Sequence, residues 1–337
     1  MLIFFLKHTG INRYLRIIFF VSILLSLLRA EDWGFFMHKK INGFAISDLP
    51  DSPIQIFLVK NQEYIVNWST QPDERKRKMP DEAHRHFIDL EDFPVRNYRK
   101  DIPKNWNAAV QKFTLQKLEE FGTAPWAIRA VYDELVQVFK TYPKEQDRLT
   151  ENAEKMIRLM ADLGHYIADI HVPLHTTSNY NGQLSQQEGI HSLWESVLPE
   201  LFYDSYLLHE KKSKDHKSLY IPNLEDLIWK IIFDSHHQLP ELLAQEKLAQ
   251  EEVGQKEVRA KKSVYKSEAK PKKVKIKYRQ EFLEAYHKRL NKMIEKQAEK
   301  AAFYIAAIWY SAWIDGGSPT LEDLVFENTE EETQERE

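Results

Sequence analysis

The stretch Gly164-His165-Tyr166-Ile167-Ala168-Asp169-Ile170-His171-Val172-Pro173-Leu174-His175 combines imidazoles and a carboxylate at spacings that suit a metal ion. On a helix, His165 and Asp169 leave the same face one turn apart, so the pair can share one cation. His175 lies beyond Pro173, where a broken helix can turn its imidazole towards a neighbouring ion. His191 and Glu195 repeat the one-turn spacing after a polar loop. The chain has no cysteine, so any metal must rest on imidazole nitrogen and carboxylate oxygen. Such ligands suit a catalytic zinc or another first-row metal. One His/Asp pair is commonplace on a solvated helix. Here five such residues fall between positions 165 and 195, in a chain with only 13 histidines. His171 competes for a place, because it also forms a one-turn pair with His175. We read it as a packing or supporting histidine.

Further candidates lie upstream. Trp33 and His38 open the segment Trp33-Gly34-Phe35-Phe36-Met37-His38. Asp73 stands in Gln71-Pro72-Asp73-Glu74-Arg75-Lys76-Arg77, and His86 in Ala83-His84-Arg85-His86-Phe87-Ile88-Asp89. Taken singly these are surface or capping residues, and Asp81, after Pro80, reads as a helix cap and as the rival of Asp73. Taken in order, Trp33, His38, Asp73, His86, His165, Asp169, His175, His191 and Glu195 resemble the ligand set of the zinc-dependent phospholipase C and single-strand-specific zinc nuclease superfamily. The resemblance runs from Trp33 to about Leu201, and Trp309-Tyr310-Ser311-Ala312-Trp313 also looks like the family.

The resemblance implies an all-helical domain with three zinc ions in a cleft. Asp73, His86, His165 and Asp169 would hold the first ion, and His175, His191 and Glu195 the second. Trp33, through a free amino group and its carbonyl oxygen, and His38 would hold the third, with Asp169 as the bridge. This sequence departs from the pattern at Trp33, since a free amine there requires a cut after Asp32. The spacing of Trp33 to His38 and the run from Asp169 to His175 are nuclease-like, whereas Glu195 is the phospholipase choice. In the nucleases, residues at the positions of Phe87 and Asp89 stack on a base and bond to its edge. Base stacking is sequence-tolerant and contributes about 1–3 kcal/mol per base. On the residues alone, Phe87 is as readily a core aromatic.

The expected chemistry is hydrolysis of a phosphate diester, with a metal-acidified water attacking phosphorus in line. Asp73 and Asp169 are the candidate catalytic carboxylates, and Arg75 and Lys76 are candidates to neutralise the phosphate. A solvated basic turn is the plainer reading of those cations. Single-stranded nucleic acid is the expected substrate. The alternatives are a phospholipid head group and a non-catalytic, metal-stabilised binding protein. No obligate protein partner is evident, and a monomer is expected.

The elements that must position these residues read as helical. Apolar residues recur at three- and four-residue spacing over Trp106–Thr141, Glu151–His171, His191–Leu201 and Asn223–Ala244. Glu281–Ile314 reads as one long helix with an aromatic end, stopped by Gly316-Gly317. No run of alternating strands is evident, so the expected fold is all-α, one compact domain over residues 31–326. Apolar residues make up 43% of the 337, ample for a sizeable core. A net charge of −4 argues against general coating of nucleic acid, though not against a nucleic-acid substrate met by metal ions. Residues 245–279 read as a charged insertion, a solvated helix or flexible segment whose basic part, Lys261–Lys277, could touch a phosphate backbone or anionic lipid. Residues 1–30 pair a basic region with a short apolar run, as in a secretory signal or an uncleaved anchor, which places the domain outside a membrane, secreted or periplasmic. Residues 327–337 read as an acidic, disordered tail.

Overall fold

The computed structural model describes residues 34–142, 149–206, 219–254, 259–261, 276–321 and 324–326. The expected signal segment, Trp33, residues 262–275 of the charged insertion and the acidic tail lie outside the described residues.

Among the described residues the chain is mainly helical, as its periodicity predicts. In order come α1 (Phe35–Asp48), α2 (Pro53–Lys60), α3 (Gln62–Trp68), α4 (Gln71–Arg75), α5 (Pro80–Ala83) and α6 (Tyr98–Asp101). They are followed by α7 (Trp106–Phe113), α8 (Leu115–Phe121), α9 (Ala124–Thr141) and α10 (Leu149–Asp169). Then come α11 (Ile190–Ser192), a π-helical turn (Leu193–Val197), α12 (Leu198–Phe202), α13 (Leu224–His236) and α14 (Leu239–Glu252). A two-stranded antiparallel ribbon, β1 (Arg259–Lys261) with β2 (Ile276–Tyr278), lies in the charged insertion, and α15 (Gln280–Arg289) and α16 (Met293–Asp315) complete the domain. Among the described residues no helix is long and apolar enough to cross a membrane.

Side-chain pattern explains the packing. Helix α16 buries residues on most of its faces, including Ile294, Ala298, Ala301, Ile305, Ile308 and Trp309, as a central helix must. Its alanines let α1 approach closely, and α10 lies against it with the Trp309 indole donating to the Met160 carbonyl at 2.9 Å. Helix α9 buries Ile128, Val131, Tyr132, Leu135 and Phe139, a single stripe that faces α10. Caps fix the ends locally: Ser52, Asn105 and Asn223 accept the backbone N–H groups of Gln55, Ala108 and Asp226.

Three expected helices are broken, and of these Asn223–Ala244 divides into α13 and α14 between His236 and Leu239. Trp106–Thr141 is three helices, because Thr114 (φ 69°) and Gly122 (φ 93°) leave the right-handed region. Glu281–Ile314 is two, interrupted where Asn291 (φ 46°) and Lys292 (φ 64°) turn the chain. The segment after Pro173 is a 3-10 turn, Pro173–Thr176, as the proline predicts.

Candidate metal centre

Seven elements converge on one buried cluster. The last turns of α10 carry His165 and Asp169, and the 3-10 turn after Pro173 carries His175. Helix α1 brings His38, α4 brings Asp73, and the short turn His84–His86 brings His86. His191 comes from α11 and Glu195 from the π turn that continues it. In an ordinary helix the nitrogen of residue 199 would donate to the Glu195 carbonyl. Pro199 cannot donate and crowds that carbonyl, so a wider turn there has a physical cause.

Backbone carbonyls set the tautomers of two histidines. His165 Nδ1 donates to the Ser69 carbonyl at 2.8 Å, and His175 Nδ1 donates to the His86 carbonyl at 2.7 Å. A carbonyl only accepts, so both rings carry their proton on Nδ1 and turn Nε2 inwards. The Ile88 amide returns a bond to the His175 carbonyl at 2.9 Å, which locks the His86 segment to the His175 turn. The crossing of α1 with α10 is equally tight. A Cβ built at Gly164 would lie 1.8 Å from Asn42 Oδ1, and this close approach lets His38 stack on His165 with ring centroids 4.0 Å apart.

The inward atoms form two adjoining groups. In the first, His86 Nδ1 lies 2.9 Å from Asp169 Oδ2 and 3.0 Å from His165 Nε2. His165 Nε2 is 3.2 Å from Asp169 Oδ2, and Asp73 Oδ1 stands 3.6 Å from His165 Nε2 and 3.7 Å from His86 Nδ1. Tetrahedral bonds of about 2.0–2.1 Å place ligand atoms about 3.3 Å apart, so these edges bracket the spacing of one small cation. In the second group, Glu195 Oε1 is 2.8 Å from His191 Nε2 and 3.0 Å from His175 Nε2, and the two nitrogens are 3.1 Å apart. That is one triangular face of a candidate metal site. Asp169 joins the groups: its Oδ1 lies 3.4 Å from His38 Nε2 and 3.9 Å from His175 Nδ1.

Electrostatics makes the same demand for a cation. Asp73, Glu82, Asp169 and Glu195 are all at most 3% exposed. Buried carboxylates without compensating charge are costly. Asp73 Oδ2 and Glu195 Oε2 have no hydrogen-bond partner among the described residues. Burial, with the charges of Asp169 and Glu195, pushes the Asp73 carboxyl well above its usual range. Burial opposes ionisation of Asp169 too, but His165 and His175 outweigh it and hold that carboxyl well below. Against the same burial, His191 and His175 hold Glu195 down to about 2. Burial lowers His165 to about 3, whereas at His175 the carboxylates of Asp169 and Glu195 overcome burial and raise it to about 9. These buried His/Asp/Glu groups could hold a metal ion.

Eight of the nine ligand candidates from the sequence meet here, and the ninth, Trp33, lies outside the described residues. His171 stays out: its Nδ1 donates to the Ile167 carbonyl at 2.7 Å and its ring stacks on Tyr304. Asp81 is exposed and caps no helix, while Asp73 is buried in the cluster. Arg75 does not face a phosphate. Its guanidinium is bidentate to Asp162 at 2.8 and 3.0 Å and also donates to Glu82 at 3.3 Å. Lys76 does reach the centre, with Nζ 2.9 Å from Asp73 Oδ1. Phe87 and Asp89 are half-buried, while Ile88 between them is fully buried. Burial and the neighbouring Asp92 and Glu91 push the Asp89 carboxyl up to about 7.

Sequence reasoning missed Glu82. Tyr166 hydroxyl donates to it, Arg75 and Arg85 surround it, and its Oε1 lies 3.7 Å from His86 Nε2. Its position four residues before His86 was the only available signal. The chain matches no protein-family model and no curated protein.

Proposed function

We propose that the chain is a zinc-dependent hydrolase of phosphate diesters that acts on single-stranded nucleic acid. The observation that carries the reading is the first group, in which His86, His165 and Asp169 present three donors 2.9–3.2 Å apart with Asp73 Oδ1 3.6 Å from His165 Nε2, beside the triangle of His175, His191 and Glu195. Zinc suits donors that are all imidazole and carboxylate. Bound there, it supplies an acidified water and polarises a phosphoryl oxygen. A third ion on His38 and Asp169 would also require the Trp33 amine, and so depends on proteolysis before Trp33.

The chain's own groups divide the remaining work. Asp73 turns one oxygen towards His165 and keeps Oδ2 without a hydrogen bond, placed to orient the attacking water. Lys76 brings a cation to the edge of the centre, where it neutralises a phosphate oxygen. Phe87 offers a ring face and Asp89 an adjacent carboxyl for a base that stacks beside the cut, an arrangement that tolerates any sequence. Secretion is the reading of the basic and apolar pattern of the N-terminal sequence.

One observation favours a second reading, a phospholipase C with the same centre. Tyr180 and Leu184, 52% and 72% exposed, sit on the loop that leads to His191 and give its rim an apolar tip. Hydrolysis of single-stranded DNA, RNA and phosphatidylcholine, each with and without a chelator, separates the readings. We expect chelator-sensitive cleavage of nucleic acid, restored by zinc. Cleavage of phosphatidylcholine alone selects the second reading, and no cleavage by a zinc-loaded protein leaves a metal-stabilised binding protein. Undiminished activity in His165→Ala overturns the metal assignment.

A further inference from the structure

His86 faces the centre the opposite way round from its neighbours. His165 and His175 donate Nδ1–H to backbone carbonyls and turn Nε2 inwards, whereas His86 turns Nδ1 inwards, 2.9 Å from Asp169 and 3.0 Å from His165. For Nδ1 to offer its lone pair to a cation, the proton of the neutral ring must sit on Nε2. That atom is buried and has no hydrogen-bond partner within reach among the described residues. The acceptor it faces is Glu82 Oε1, at 3.7 Å. A shift of about 0.7 Å closes this to an ordinary hydrogen bond.

Glu82 is built to stay where it is. Tyr166 hydroxyl donates to its Oε1, Arg75 donates Nη2 to Oε1 at 3.4 Å and Nε to Oε2 at 3.3 Å, and Arg85 Nη1 lies 3.6 Å from Oε2. Arg75 is itself fixed by both oxygens of Asp162. Since Asp162 already provides that guanidinium with a bidentate partner, a second buried carboxylate is not needed to hold it. We propose that Glu82 is a positioning residue of the metal centre, accepting the Nε2 proton of His86 so that Nδ1 is presented to the cation. Arg75 and Tyr166 then act one step further out, by fixing the carboxylate. The inference rests on the metal-binding part of the proposed function and is independent of the substrate.

The test begins with zinc affinity of the full chain, measured by competition with a chromogenic chelator. A wild-type protein that takes up no zinc overturns the metal reading itself. With the wild type binding, Glu82→Gln is expected to lower zinc affinity about 10–100-fold, the usual effect of removing such a partner, while the metal-free variant melts cooperatively. Glu82→Asp keeps the charge beside Arg75 but withdraws the acceptor, so it should also bind zinc less tightly. Affinity unchanged in both overturns the Glu82 role alone. A measurement without any variant decides the matter should these fail to fold. In the zinc-loaded wild type, histidine ring 15N NMR should show His86 metallated at Nδ1 and protonated at Nε2, and the reverse pattern overturns the proposal.

Discussion

Replacing Gly164 by alanine tests the link between the helix crossing and the metal centre. In a helix interior Gly→Ala ordinarily stabilises by about 1 kcal/mol. Here the new Cβ would lie 1.8 Å from Asn42 Oδ1 and 2.8 Å from its Cγ. Real Cβ contacts of this kind are not under 3.0 Å, so Asn42 must retreat by about 1.2 Å, the difference between 3.0 and 1.8 Å. Asn42 is fully buried and its Nδ2 donates to the His38 carbonyl at 2.9 Å, so it cannot swing away freely. Overpacking of this kind costs about 1–3 kcal/mol, and loss of the Asn42 bond about 1 kcal/mol more. After subtracting the propensity gain, Gly164→Ala should be destabilised by about 1–3 kcal/mol. The strain also falls on His38, which stacks on His165, the residue next to the substitution. Zinc affinity should therefore drop with stability. Urea unfolding of the metal-free protein reads the first effect, as a lower midpoint at unchanged slope, and chelator competition reads the second. A variant as stable as the parent, or more so, refutes the reasoning, because helix propensity would then have outweighed the contact.

Gly122→Ala should cost more than about 2 kcal/mol by thermal unfolding, since a left-handed φ of 93° is combined with a Cβ 2.2 Å from the Phe87 carbonyl. Asp89 ties stability to pH: its folded-state pKa of about 7, raised from 3.8, means that its stabilising protonation is complete below about pH 4 and lost as pH rises through 7. The permanently neutral Asp89→Asn should gain on the wild type between pH 4 and 8 in denaturant titrations, and a constant difference across that range would contradict the assignment. His171→Ala should leave the zinc bound per chain unchanged by elemental analysis while it lowers the melting temperature, because that ring packs on Tyr304 outside the ligand groups. Zinc at 100 times its dissociation constant should stabilise the metal-free protein by about 2.7 kcal/mol, read as a higher melting temperature that a chelator reverses.

The one-turn pairs at 165/169 and 191/195 were legible because helical periodicity puts both members on one face whatever the rest of the fold does. The π turn under Glu195 was not, although Pro199 was in plain view, since a proline can end a helix, kink it or widen it. Trp106–Thr141 read as continuous because apolar spacing carries across Thr114 and Gly122, and only Gly122 offered a local hint of a break. Asn291 and Lys292 offered less, for neither is a residue that demands positive φ. Arg75 and Glu82 show a different limit. A basic turn looks solvated until α10 supplies Asp162, 87 positions away, and that pairing has no trace in local sequence.

The ligand groups are held by features that do not depend on an ion being present. Ser69 and His86 carbonyls fix two imidazoles, the α1–α10 crossing fixes a third, and the Arg75–Asp162 pair stands behind Glu82. Little conformational freedom is left to lose on binding, which is the condition for a tight and selective site. What preorganisation leaves unrelieved is charge. Asp73 is driven towards its protonated form and His175 is raised to about 9, so in the metal-free protein protons occupy the places where positive charge is needed. A divalent cation meets that need at one point between the carboxylates, where protons meet it only by spoiling two ligands. Metal uptake at this centre would therefore exchange protons for a cation on a frame that is already built. At the edge of that frame stand Lys76, paired with Asp73, and Tyr180, whose ring meets His191.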